Sequence, residues 1–302
     1  MTGAGSASVA FAKEDEFRSL PADPTYYLPG RNITIDDLTL PRALQRMRTP
    51  EAVMAATSLA GQIEGALAAS WAMSADVQAD VRDIVFNDGG TKFETGAAAT
   101  SRWFVGVDHL AGTAERELKG VIPLEYSVAY SEAENTITES LTMGYADEEV
   151  DTAITPAAIQ GPTDGNDVPF HGASLEIDAG TVTKLQSATL SIGNIARFQS
   201  GPDPNPVDAV IAAPEATLDA TAIIEGTDRL ELAYGSSGAT STQGTMDSVS
   251  GTFGFAVGGS SVVSYDLPKL KPDQYAWQDV VNPDADTTDQ TTYHVNGQIQ
   301  VS

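Results

Sequence analysis

The second half of this chain repeats the layout of its first half, in the same order and at similar spacing. Each half contains an alternating apolar triplet, a strand pattern of small residues and an acidic, helix-like segment. The triplets lie at residues 38–40 and 190–192, and the strand patterns at residues 62–71 and 215–224. The same fourteen positions separate Leu67 from Val81 and Leu218 from Leu232. A layout that recurs at one spacing indicates a duplicated unit, so we predict two copies of one domain.

The length of the chain fits this duplication. A chain of 302 residues can bury a core in each of two domains of about 150 residues. The stretch at residues 151–169 is rich in Pro, Gly, Thr and Asp, which is typical of a domain boundary. We therefore predict four regions, which are an N-terminal arm at 1–30, a first domain at 31–155, a linker at 156–168 and a second domain at 169–302.

The chain is strongly acidic, with 42 Asp and Glu against 16 Lys and Arg and a formal net charge of −26. In dilute salt such a charge makes a compact chain repel itself, whereas molar salt shortens the Debye length to roughly 3 Å and screens the repulsion. This composition is typical of a halophilic cytoplasm, and an ordinary acidic protein is the alternative. The acidity argues against nucleic-acid binding, because affinity for phosphates comes from Lys and Arg. It suits a protein through which DNA has to slide.

The sequence carries no sign of a membrane segment, a secretion signal or a disulfide. Its most apolar stretch, residues 58–73, is interrupted by Gln62 and Glu64 and does not reach the length of a membrane helix. Residues 1–5 include neither a basic residue nor an apolar run, so we expect folding in the cytoplasm. The chain has no cysteine, so its stability has to come from packing or assembly.

Alternation of apolar and polar residues predicts a mainly β protein with about one helix in each half. The clearest strands form long hairpins, at residues 117–145 and 275–301. Helices are predicted at residues 75–86, with Ser74 as the N-cap, and at residues 227–234. The prolines of the first thirty residues predict an arm that runs over a neighbouring surface.

No motif in the sequence supports catalysis. The chain lacks a nucleophile elbow, a phosphate-binding glycine loop and a dinucleotide fingerprint, and its histidines are far apart in sequence. Two acidic loops, at residues 164–167 and 284–289, have the oxygen density of calcium loops without the EF-hand pattern, and we interpret them as solvated. Asn32 begins a glycosylation sequon that we expect to be unused. We therefore predict no enzyme activity, catalytic residue, cofactor or metal site.

Several stretches of the chain resemble the major tail tube proteins of tailed viruses, in particular the branch found in viruses of haloarchaea. The resembling stretches are LPADPTYY at 20–27, PGRNIT at 29–34, SLAGQIEGAL at 58–67, ATLSIGNIAR at 188–197 and PVDA at 206–209. They are patterns of packing residues and do not form a chemical signature. Together they span most of the chain.

The resemblance implies two tandem tail-tube-type domains, each a β-sandwich or half-barrel with about one flanking helix. In that family, subunits join edge to edge into rings around a lumen, the rings stack through loops and arms, and viral DNA passes through during ejection. The resemblance therefore implies a structural virion protein of the tail, assembled in the host cytoplasm. Its partners would be other copies of itself, the tape-measure protein and the tail terminator or baseplate proteins, with transient passage of DNA and no membrane.

The duplication sharpens this expectation into a number of chains per ring. Rings of the family commonly contain six single-domain subunits. A subunit with two such domains is predicted to complete the same circle with three copies, which gives threefold and approximate sixfold symmetry. Six chains per ring is the alternative.

Four acidic residues of the long hairpins are predicted to face the lumen of such a tube. They are Glu125, Glu139, Asp286 and Asp289. Negative charge on an inner wall would repel the phosphates of DNA and so ease its passage.

Two other classes of protein remain as alternatives. A halophilic surface protein or adhesin made of two β-sandwiches would bind glycans or the cell envelope, but it should carry an export signal. A hydrolase would need distant carboxylates brought into catalytic geometry. A substrate screen in molar salt and electron microscopy of the same material separate the three classes, because only the tube protein is expected to form rings and only the hydrolase to turn over a substrate.

Overall fold

The computed structural model describes residues 7–50, 53–54, 57–109, 112–150 and 159–302. Residues 1–6 of the predicted arm and residues 156–158 of the predicted linker lie outside this range. β-Strands dominate the described residues, which confirms the predicted mainly β class. None of the helices in these ranges is long and apolar enough to cross a membrane.

The first half of the chain folds into strands and one α-helix. The strands are β1 Ala7–Lys13, β2 Tyr26–Tyr27, β3 Arg31–Thr39, β4 Gln45–Met47, β5 Thr57–Leu59, β6 Gly65–Ala72, β7 Ser101–His109, β8 Gly112–Ser131, β9 Thr136–Tyr145 and β10 Asp147–Val150. Helix α1 spans Gln78–Val85 and follows a 3₁₀ turn at Ala75–Val77.

The second half has a similar order of elements, with β11 as an additional strand. Its strands are β11 Ile159–Gln160, β12 Ala173–Ile177, β13 Gly180–Thr181, β14 Leu185–Gly193, β15 Ala196–Gln199, β16 Asp208–Ile211, β17 Glu215–Ile223, β18 Val249–Val257, β19 Ser260–Gln278, β20 Thr288–Asn296 and β21 Gln300–Val301. Helix α2 spans Asp228–Tyr234, and a 3₁₀ turn at Phe170–Gly172 precedes β12.

One sheet runs through both halves of the chain. Its order is β3, β6, β9, β8, β14, β17, β20 and β19, and every neighbouring pair is antiparallel. Strand β8 also pairs with β7 and β19 with β18, while the small hairpins β4–β5 and β15–β16 form separate sheets. Within the described ranges the main sheet is open, with β3 at one end.

The two halves correspond strand for strand within this sheet. Strands β3, β6, β9 and β8 of the first half match β14, β17, β20 and β19 of the second half in order and direction. In both halves a register shift follows a proline of the long strand, Pro123 in β8 and Pro272 in β19. Glu139 in β9 and Asp289 in β20 consequently occupy corresponding positions. The division into separate domains at residues 155 and 169 stays a prediction.

The main sheet has one buried face and one polar face. In β6 the inward positions hold Leu67, Ala69 and Trp71, all buried, and the alternate positions hold Ala and Ser. This period of two is what strand geometry imposes. The buried residues of both halves form one hydrophobic cluster, in which the hydroxyl oxygens of Tyr126 and Tyr265 are 2.8 Å apart. The two halves therefore share one core.

Helix α1 begins three residues later than predicted. Ser74 makes no capping hydrogen bond to the helix, and its hydroxyl instead donates to the carbonyl oxygen of Asn166. Val81 and Val85 lie in the core at helical spacing, as expected for an amphipathic helix. Helix α2 ends at Gly235, whose φ of 140° is accessible to glycine and strained for other residues.

Part of the predicted N-terminal arm belongs to the fold. Strand β1 pairs with β7 over its whole length. Its residue Phe11 is buried and stacks on Trp103, with ring centroids 5.4 Å apart. Residues 7–13 are therefore a strand of this fold and do not form an arm over a neighbouring surface. Their apolar side chains pack in the core of their own chain.

Candidate assembly interface

The two halves are joined by an antiparallel strand pair between β8 and β14. Six facing pairs form this junction, from Ser131 opposite Ser187 to Tyr126 opposite Ile192. Val128 faces Leu190 near its centre, and both side chains are fully buried. Backbone groups inside a sheet need hydrogen-bond partners, and at this junction β8 and β14 supply them to each other. The junction is therefore an example of how one half of the molecule binds another half.

Strands that correspond to β14 and β8 lie at the two ends of the sheet. Within the described ranges, the chain provides no partner strand for them there. Strand β3 corresponds to β14 and pairs with β6 alone, and the 274–278 segment of β19 corresponds to the part of β8 that receives β14. Trp277, which corresponds to the buried Val128, is 52% exposed. Leu38, which corresponds to Leu190, is half-buried. The molecule thus carries one complete junction and both separate halves of a second.

A groove of about 870 Å³ crosses the polar face of the sheet at the internal junction. Its lining includes five small hydroxyl side chains, Ser127, Ser140, Thr142, Ser191 and Thr217, together with the ionisable Glu125, Glu215 and His294. Strands β9, β14, β17 and β20 and residues 125–131 of β8 contain no Lys or Arg. In β19, Lys269 and Lys271 are exposed opposite Asn296 and His294. The centre of the face is therefore polar and poor in cations, and its lysines lie on β19.

The four residues predicted to face a lumen divide into two pairs. Glu125 lies at the polar groove and Asp286 lies in the loop before β20, and both are exposed. Glu139 and Asp289 are buried, so the prediction is wrong for these two. Glu139 shares the inward face of β9 with Ile137 and Leu141, which places its carboxylate in the core rather than in solvent.

The Glu139 carboxylate is held by three donors inside the core of the first half. The Tyr126 hydroxyl donates to one oxygen over 2.5 Å, while Trp71 Nε1 at 2.9 Å and Gln78 Nε2 at 2.6 Å donate to the other. Burial raises the pKa of the Glu139 carboxyl, against the lowering effect of these hydrogen bonds and of the nearby Arg82. The carboxylate ties α1 to the buried face of β6, β8 and β9.

Asp289 does the same in the second half with a different donor set. Arg229 on α2 donates to it through Nε at 2.9 Å and Nη2 at 2.5 Å, and the Tyr275 hydroxyl donates at 3.1 Å. Gln78 and Arg229 occupy corresponding helix positions, and Tyr126 and Tyr275 occupy corresponding strand positions. A carboxylate at an inward position of an alternating strand is the sequence signal that could have identified both residues.

The raised pKa of Glu139 gives a pH dependence with a definite sign. Because its pKa is higher in the folded state than its ordinary value of 4.5, the folded state holds the proton more tightly, and this stability is lost as pH rises through the folded pKa. We expect the wild type to lose more unfolding free energy than Glu139→Gln as the pH rises above about 4.5. Denaturant titrations of both proteins at constant molar salt measure the difference, and parallel curves would contradict it.

The acidic loop at residues 164–167 is engaged in protein contacts. Arg31 donates to Asp167 over 2.6 Å and to Asp164 over 2.9 Å, and Asp76 accepts hydrogen bonds from Thr163 and Asn166. Among the residues with described positions, no group of three or more His, Asp or Glu could hold a metal ion. Arg31 therefore gives the 164–167 loop a structural role.

Comparison with solved structures yields distant structural likenesses. No family model matches the chain, and no curated protein matches it. A chain in the six-fold symmetrised cryo-EM structure of the anti-feeding prophage baseplate is similar over 48% of this chain and 91% of that chain, at 15% sequence identity and a TM-score of 0.35. A likeness of this size carries no conclusion about function.

Proposed function

We propose that this protein is a structural virion component that assembles head to tail into closed rings, which stack as the wall of a tail tube. The internal pairing of β8 with β14 is the observation that carries the proposal. The free segment of β19 and the free edge of β3 are the corresponding edges, and pairing them between copies would repeat the internal junction. An unpaired sheet edge is an aggregation hazard that ring closure removes.

The resemblance to tail tube proteins sets the size of the ring. Each chain would supply two of the six domains around the ring, so three chains would complete the circle. A head-to-tail interface gives a closed ring when its rotation relates three chains in a full turn. The tape-measure protein and the tail terminator or baseplate proteins are the expected partners at the tube ends. We assign the chain no catalytic role.

The polar face of the sheet is the proposed inner wall. Its hydroxyl side chains and the lack of Lys and Arg in β9, β14, β17 and β20 would let DNA pass without binding there, and the net charge of −26 adds repulsion at a distance. Glu125 and Asp286 remain the candidate lumen-facing carboxylates. The wall proposed here is thus lined mainly by hydroxyl groups, with few charges.

Electron microscopy and native mass measurement of the protein in molar salt test this proposal. We expect rings or tubes, and a ring mass of three times the 31.6 kDa chain. Rings of six chains would overturn the stoichiometry. A protein that stays monomeric over a wide range of salt and protein concentration would overturn the assembly itself.

A further inference from the structure

We propose that the β4–β5 hairpin docks on the second half of another copy of this chain, as an added strand pair beside residues 244–246. This inference rests on the proposed head-to-tail assembly and names a further contact within it. Its basis is separate from the sheet edges, because the molecule already contains one example of the contact.

The example is the β15–β16 hairpin, which lies on the first half of its own chain. Ala98 N donates to the carbonyl oxygen of Ala209 and Ile211 N to that of Gly96, both over 3.0 Å. Between these bonds Ala97 faces Val210 as an antiparallel bridge. The contact leaves Ala209 only 1% exposed. The hairpin therefore extends the segment before β7 by β-pairing.

The β4–β5 hairpin is the counterpart of β15–β16 in both position and register. Arg46 faces Ser58 in one hairpin, and Phe198 faces Ala209 in the other. Eight positions lead from Leu38 to Arg46 and from Leu190 to Phe198, and nine lead from Ser58 to Leu67 and from Ala209 to Leu218. The spacing is the same from the preceding strand and from the following strand, so the residue pairs of the two hairpins align without a gap.

The two hairpins differ in what covers them. The apolar side chains of the first hairpin and its loop are exposed. They are Leu44 at 62%, Met47 at 46%, Val53 at 90%, Met54 at 79% and Leu59 at 54%. In the second hairpin, Ala196, the counterpart of Leu44, is 5% exposed and Val210, the counterpart of Leu59, is half-buried, whereas Gln199, the counterpart of Met47, is exposed. A two-stranded hairpin with exposed apolar residues is marginal alone and gains stability from a third strand.

The second half offers the corresponding receiving segment. Residues 96–98 precede β7 and residues 244–246 precede β18 by the same interval, and both strands then show a register shift after their first residue. Gly244 and Thr245 are exposed. By correspondence with the internal contact, Leu59 of the docked hairpin would lie opposite Thr245 of the receiving copy. Backbone hydrogen bonds would form at Gly244 and Met246.

Charge complementarity favours this pairing of copies. In the internal contact Phe198 packs against Gly144 and beside Leu124, so closely that a Cβ on Gly144 would lie 2.9 Å from the phenyl ring. The three counterparts are Arg46, His294 and Asp273. The Asp273 and His294 side chains are exposed, with a carboxylate oxygen 3.6 Å from Nε2. Docking would bring the Arg46 guanidinium to this exposed carboxylate.

A disulfide between copies tests the inference, and the lack of native cysteine makes the result unambiguous. Ala97 and Val210 form a non-hydrogen-bonded pair, the type with the closer Cα atoms and a geometry compatible with a disulfide. The variant Leu59→Cys with Thr245→Cys should therefore give covalent dimers and trimers after mild oxidation in molar salt. The matched control Ala97→Cys with Val210→Cys should give a disulfide within one chain, and Leu59→Cys alone should give background cross-linking.

The outcomes separate this inference from the proposed function. Rings in the microscope without cross-linking of Leu59→Cys to Thr245→Cys above the single variant would overturn the hairpin contact and leave the rings standing. Cross-linked multimers without rings would support the contact and overturn closure, and the absence of both would overturn both. In moderate salt, Arg46→Asp should lower the cross-linking yield severalfold, and adding Asp273→Arg should restore it.

Discussion

Glu139→Ala is expected to lower the free energy of unfolding by roughly 3–5 kcal/mol, the range for removing one partner of a buried charged network. Three donors aim at the Glu139 carboxylate, and each would lose its acceptor in a region without solvent. A buried donor left unsatisfied costs about 1–3 kcal/mol. The variant also loses the tie between α1 and the sheet, so the helix should be its least stable part.

Chemical denaturation in constant molar salt measures this effect. Glu125→Ala is the matched control, because Glu125 is exposed on the polar face of the neighbouring strand and its removal should change stability by no more than about 0.5 kcal/mol. Asp289→Ala should resemble Glu139→Ala, since it leaves Arg229 without its bidentate partner. A loss below about 1 kcal/mol for Glu139→Ala would contradict the role given to the network.

Trp277→Asp is expected to reduce ring formation by roughly tenfold or more while leaving the folded monomer intact, since burying an unpaired carboxylate costs several kcal/mol. Trp277 is half-exposed in the single chain, and its counterpart Val128 is fully buried by β14. In the proposed ring, β3 of the next copy would cover position 277 and place Leu38 opposite it. The penalty would be repeated at every contact between copies.

Native mass measurement and microscopy give the assembly state, and thermal unfolding of the dilute protein gives the stability of the monomer. Val207→Asp is the matched control. Val207 is similarly exposed at 54%, but it belongs to the hairpin that already lies on its own chain. Rings that persist in Trp277→Asp would show that β19 is not an assembly edge.

The local features of the fold could be predicted from sequence because they depend on spacing within one element. Alternation predicts the long strands, the period of 3.6 predicts α1, and correspondence with the first half predicts α2. The equal spacing from Leu67 to Val81 and from Leu218 to Leu232 pointed to corresponding positions, and the strand registers now align the same leucines.

Features that depend on distant partners could not be predicted in this way. The sequence predicted a hairpin beginning at residue 275, but its first strand, β19, begins at Ser260 and continues through Pro268 and Pro272. A register shift after Pro272 accommodates the proline side chain. The burial of Glu139 depends on donors from β6, α1 and β8, which are far away in sequence. Residue type alone predicts that Glu139 faces solvent. Its inward position on β9 buries it instead.

The chain connection between the two halves has an entropic consequence for a ring of three chains. Half of the six contacts around the circle would already be made when the chain folds, so assembly requires two associations between molecules instead of five. Each association avoided spares a loss of translational and rotational freedom estimated at about 4–15 kcal/mol in the 1 M standard state. Duplication would therefore let rings close at a lower protein concentration than single-domain subunits with the same contacts.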